Sequence, residues 1–181
     1  MNTNEKVSST DKVSCGLVAN NSVSDDLQAP FITFDVTCLD ANGNEKWREV
    51  SRNTVMTAGK TDIVDKYLKG SAYTAAFYLG LKNTGSIAVG DTLASHAGYT
   101  EATPYAGNRP AITWGTTSAG SNTASAVSIS INATDTDVAG AFVCTVNSGT
   151  SGTLYCCSNF SVTRSVASGD TLNVTPTITV A

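Results

Sequence analysis

The 181-residue sequence predicts a mainly β protein: a β-sandwich, jelly-roll or immunoglobulin-like, with one short helix and an extended N-terminal arm. Three observations predict it. Short runs of alternating apolar and polar residues recur from residue 31 to the end, separated by Gly, Asn, Ser and Asp turn signals. Only one segment, near 56–69, carries apolar residues at helical spacing. The first thirty residues hold one short apolar cluster, Cys15 to Val18, in a polar setting.

That opening stretch, 1–30, reads as the arm, and 31–181 as the sandwich domain. Ordering a backbone costs roughly 1–2 kcal/mol per residue, more than so few apolar groups recover alone. Leu17, Val18 and Leu27, with Phe31 at the domain boundary, are therefore the candidate residues for holding the arm against a partner.

Ile32, Phe34, Val36 and Cys38 fall on one face of the first strand, with Thr33, Asp35 and Thr37 on the other. Asn42-Gly43 then supplies the positive φ of a hairpin turn, and Glu45 to Ser51 returns as a strand centred on Trp47. In the helix, Ile63, Val64, Tyr67 and Leu68 form an apolar stripe that needs a sheet or a neighbour to lie on. Asp62–Lys66 and Asp65–Lys69 are i,i+4 pairs in the favourable order, and Gly70 stands where a helix end wants glycine.

Strands follow at 73–82, briefly at 111–114, and around Val127, Ile129 and Ile131. Two more centre on Phe142–Val146 and on Phe160, Val162, Arg164 and Val166, the last four sharing a face. Leu172 to Val180 closes the chain, and Pro176 predicts an edge or a bend because proline has no N–H for a ladder.

Charge is sparse and uneven. Charged residues make up 14% of the chain and the net charge is -4, which argues against a protein that holds nucleic acid phosphates. No apolar run approaches the ~18–20 residues of a membrane span, and the polar start lacks a signal-peptide core. Neither nucleic acid nor membrane is expected as a partner. Residues 83–181 contain seven charged side chains against 31 Ser and Thr. Thr-rich surfaces suit strands, and low charge also suits surface spent on neighbouring subunits.

Motifs for chemistry are missing. Gly59-Lys60-Thr61 ends like a phosphate-binding loop, but Thr54 stands where that loop needs its first Gly, so Gly59 reads as a residue of the helix's first turns. His96 is the lone histidine, without metal-ligand or triad spacing, and reads as a loop histidine bonded to backbone. The five cysteines form no CxxC, and adjacent Cys156 and Cys157 point to opposite strand faces; they read as reduced, buried thiols. Asp135-Thr136-Asp137 lacks the rest of a calcium loop and reads as a turn. The expectation is no enzyme, no catalytic residue, no cofactor and no metal.

A sequence of motifs adds to this. Trp47-Arg48-Glu49, Asn53, and Ala58-Gly59 leading into 62–71 come first. Phe77-Tyr78-Leu79-Gly80-Leu81 follows, then the distinctive 90–101 stretch GDTLASHAGYTE. Arg109-Pro110, Gly140-Ala141-Phe142, Gly152-Thr153-Leu154-Tyr155 and 168–172 complete the order. Over 31–181 this resembles a family of tailed-bacteriophage virion structural proteins of the capsid cement or decoration type, with Tyr99 where that family shows Trp. The resemblance implies a capsid decoration protein on the outer head surface of the virion, made in the bacterial host cytoplasm. Its partners would be the major capsid protein and itself, as a homotrimer. The other expectation is a tail- or fibre-associated receptor-binding module, with Trp114, Tyr99 and Tyr105 stacking on glycans.

Overall fold

The computed structural model describes residues 31–70, 72, 76–133 and 136–180. Among the described residues ten strands form two antiparallel sheets, as the alternating patterns predict. The first sheet has the order β2 (Glu45–Arg52), β1 (Phe31–Leu39), β10 (Thr171–Thr179). Beyond β10, β6 (Ser121–Thr123) pairs with one end of it and β7 (Val127–Ser130) with the other. The second sheet runs β3 (Thr54–Val55), β9 (Leu154–Val166), β8 (Thr136–Cys144), β4 (Tyr78–Lys82), β5 (Glu101–Ala102).

The inner core fills the space between the sheets. Ile32, Phe34, Val36 and Cys38 of β1 face it, as do Leu172 and Val174 of β10. Leu79, Leu81, Val143 and Cys156 meet them from the second sheet. A second, smaller core lies on the outer face of that sheet, where Phe142, Cys144, Leu154 and Cys157 pack with Met56, Leu93 and Tyr99. Cys156 and Cys157 thus serve different cores, the opposite-face placement expected of strand neighbours.

Lys82 is fully buried at the margin of the outer core. Its ammonium donates to Asn159 Oδ1 at 2.6 Å and to the Gly85 carbonyl at 3.1 Å, and lies 5.1 Å from the Tyr99 ring centroid. Burial lowers its pKa, because a low-dielectric site disfavours the charged form.

Pro176 is not at an edge. It sits opposite Phe34 within β10, a strand with neighbours on both sides. Its carbonyl accepts from Ala124 N–H at 2.9 Å, so the missing N–H faces the gap between β6 and β7, where no ladder bond is lost. The expected shared face of Phe160, Val162, Arg164 and Val166 also fails: Phe160 and Val166 are buried, Val162 is 52% exposed. Opposite β8 the register jumps, Val138 pairing with Arg164 but Gly140 with Asn159, so β9 bulges and alternation breaks. The expected strand at 111–114 is only two isolated bridges, Tyr78 with Ala111 and Trp114 with Ala124.

Helix α1 spans Thr57–Ile63 and continues as a π-helical turn over Val64–Leu68, ending at Gly70 with φ +80°. The Asp65–Lys69 pair forms at 3.7 Å. Gly59 is its one buried residue, set against the backbone of Tyr155 in β9. No described helix is long and apolar enough to cross a membrane.

Candidate interaction surface

At the end of the sandwich where β1 begins and β10 ends, the inner core opens into an apolar groove of about 510 Å³. Ile32 and Val143 contribute from the sheets, Ile178 and Val180 from the end of β10. Ile63 and Tyr67 form the helical wall, and Thr117, Ser121 and Asn122 the wall opposite. Among the described residues no charged side chain lines it.

Three aromatic rings shape its interior. Phe77 meets Trp114 edge-on at 6.5 Å and Tyr155 edge-on at 5.4 Å. Trp114 is held by its bridge to Ala124 and by the neighbouring Gly115 N–H, which donates to the Thr123 carbonyl at 3.1 Å. These contacts are of the geometry aromatic pairs favour, so the groove wall is preformed.

The helical stripe continues the apolar surface outward. Ile63 is half-buried, but Val64 is 51% exposed, Tyr67 61% and Leu68 80%, with Val180 57% exposed nearby. The stripe found by periodicity is real, yet the domain covers only its Ile63 end: Gly59, one turn before Ile63, is the helix's single buried residue, and the π-helical turn carries Val64, Tyr67 and Leu68 into solvent. An exposed apolar patch of this kind marks a contact surface.

Of the four candidate partner-binding residues, Leu17, Val18 and Leu27 lie outside the described residues. Phe31 is half-buried at the first position of β1, opposite Thr179, with the Arg52 guanidinium 3.9 Å above its ring. The next residue, Ile32, lines the groove, so Phe31 stands at the groove rim. Sequence reasoning missed Phe77, Tyr155 and the 117–122 wall, which are brought together only by the fold.

The glycan-stacking candidates are not assembled. Trp114 reaches the groove, whereas Tyr99 is 5% exposed and Tyr105 9%, each packed in a core. Burial raises both phenols, Tyr105 to about 12. His96 lies on Tyr99 with ring centroids 4.6 Å apart, and its Nδ1 is 3.0 Å from the Tyr99 carbonyl, the backbone-bonded arrangement expected of a loop histidine.

The polar clusters elsewhere are braces. Arg109 donates through Nε and Nη2 to the two Glu101 oxygens, both at 2.7 Å, and through Nη1 to the carbonyls of Val146 and Gly149. Burial acts to raise the Glu49 carboxyl, but the Ser161 N–H, the Ser161 hydroxyl and Arg164 donate to it and hold it below the usual range. Asp170 is likewise held down against its burial by Lys46 at 2.5 Å and the Ala167 N–H at 2.9 Å. Among the described residues no group of three or more His, Cys, Asp or Glu is placed to hold a metal. Compared with known proteins, the chain matches no family model, no curated protein and no solved structure.

Proposed function

We propose that this chain is a structural component of a tailed-bacteriophage virion, a cement or decoration protein on the outer capsid surface. In this reading it holds neighbouring major capsid subunits together by multivalent, non-covalent contacts. The observation that carries the reading is the open apolar face at the groove end: a groove whose described lining carries no charge, continued by the exposed Val64, Tyr67, Leu68 and Val180. Such a face is suited to burial against another coat component, the major capsid protein or a sister copy, at roughly 25 cal/mol per Å² of apolar area. Sparse charge over residues 83–181 and the order of sequence motifs support the same reading.

The mechanism is binding and not bond-making. Packaged DNA pushes capsomers apart, and a protein touching several of them adds interface free energy only while they stay in register. Linked contacts combine as effective concentration, so modest patches give large avidity. A homotrimer fits the three-fold positions of a capsid lattice.

A second reading is favoured by one observation, the aromatic lining of the groove by Phe77, Trp114 and Tyr155. Aromatic faces stack on sugars, which suits a receptor-binding module of the tail or fibre. Fractionating virions into heads and tails and probing each for the protein separates the two. Recovery with heads supports the cement reading; recovery only with tails, with binding on a glycan array, overturns it.

A further inference from the structure

We propose that the groove takes residues 13–24 of a second copy of this chain, so that copies are linked arm to groove in a closed ring. This rests on the reading above that the groove end is a contact surface, and it names the partner.

Three observations carry it. Residues 1–30 join the domain at Phe31, whose neighbour Ile32 lines the groove, so every copy launches its arm from the rim of its own groove. Copies packed with their groove ends together therefore bring each arm to a neighbouring groove. Second, the reach suffices. Val18 lies thirteen residues before Phe31, a span of up to about 45 Å when extended, whereas a domain of this size has a radius of gyration of only about 15 Å.

Third, the chemistry matches. The groove is apolar, lacks charge and offers Thr117, Ser121 and Asn122 along one wall. Residues 13–24 are the longest uncharged stretch of the first thirty, with Val13, Leu17, Val18 and Val23 as aliphatic anchors among small polar residues. An extended peptide with aliphatic anchors suits such a groove, the side chains entering it while backbone groups meet the polar wall.

Strand direction favours a second copy over the same chain. β1 starts at the groove end and runs away from it along the sandwich, so a chain continuing the line of β1 back past Phe31 would leave that end, and would need a reversal to enter its own groove. An arm-to-next-groove contact is heterologous, and it closes into a ring when the rotation between copies divides a full turn, as in a trimer.

The test uses the full-length chain and needs no capsid, so its outcome is independent of where the protein acts. Light scattering after size exclusion is expected to show an oligomer. Leu17→Asp with Val18→Asp on the arm, and Tyr67→Asp with Val180→Asp at the groove, each reduce it to monomer with an unchanged circular dichroism spectrum. Mixing the two variants restores a complex, because one supplies an intact groove and the other an intact arm. A monomeric wild-type chain, an oligomer that both variants retain, or a mixture that stays monomeric overturns the proposal.

Discussion

Gly59 of the helix lies against the backbone of Tyr155 in β9 so closely that a Cβ at Gly59 would stand 2.3 Å from the Tyr155 carbonyl oxygen. The same carbonyl accepts the Met56 N–H at 3.1 Å, just before the helix begins. This contact seats the helix and, through it, the groove wall made by Ile63 and Tyr67. Beyond Ile63 the helix leaves Val64, Tyr67 and Leu68 exposed, Tyr67 at the groove's edge.

Gly59→Ala forces the helix off the strand, since the neighbour it meets is backbone and cannot swing aside. A loss of about 1–3 kcal/mol is expected, the usual range for overpacking. Urea denaturation checks it. An unchanged midpoint would show that the helix does not depend on this contact.

Acid should destabilise the fold through Glu49 and Asp170. Both carboxyls are held below their ordinary values, so the stability they contribute is complete above the unfolded pKa of about 4 and is lost as pH falls through the folded values. A denaturation midpoint that is level from about pH 7 to 5 and then declines is expected. Glu49→Gln should lower stability at neutral pH by about 1.5–3 kcal/mol, because the partly buried Arg164 loses its carboxylate partner, and should flatten the decline.

Lys82 should act as the latch of segment 83–100. Lys82→Ala removes the donor to Asn159 and Gly85 together with the buried stem, at a cost of about 2 kcal/mol or more. Hydrogen exchange of residues 83–100 should accelerate. Lys82→Met keeps the stem and should cost less. Unchanged exchange in the alanine variant would remove Lys82 from that role.

The cysteines Cys38, Cys144, Cys156 and Cys157 are all buried and unpaired. Burial, the main cause in each, raises their thiols, Cys38 and Cys157 to about 11 and Cys156 to about 12. Since the thiolate is the reactive form, these four should resist iodoacetamide in the native protein and react on unfolding. Rapid native labelling at any of the four would contradict their placement.

Local rules made much of the fold legible. Strict alternation located β1, the hairpin to β2, and β10, because each buries one face only. The helix and its Gly70 end were equally visible. Pro176 misled because proline excludes a ladder bond on one side, and sequence does not show that β6 and β7 leave a gap there. The β9 bulge was hidden because register depends on the partner strand. As for the groove, the stripe at 63–68 was readable, but periodicity says which residues share a side and not what covers them. Phe77, Trp114 and Tyr155 are far apart in the chain, and only the paired sheets unite them.

The most direct measurement of the proposed role is cosedimentation of the protein with purified, DNA-filled heads of a tailed phage, followed by heating of the loaded heads. Saturable binding that delays release of packaged DNA, and is weakened by Leu68→Asp at the exposed helical stripe, is the predicted result. Absence of head binding, or heads that release DNA at the same temperature with and without the protein, would contradict the account.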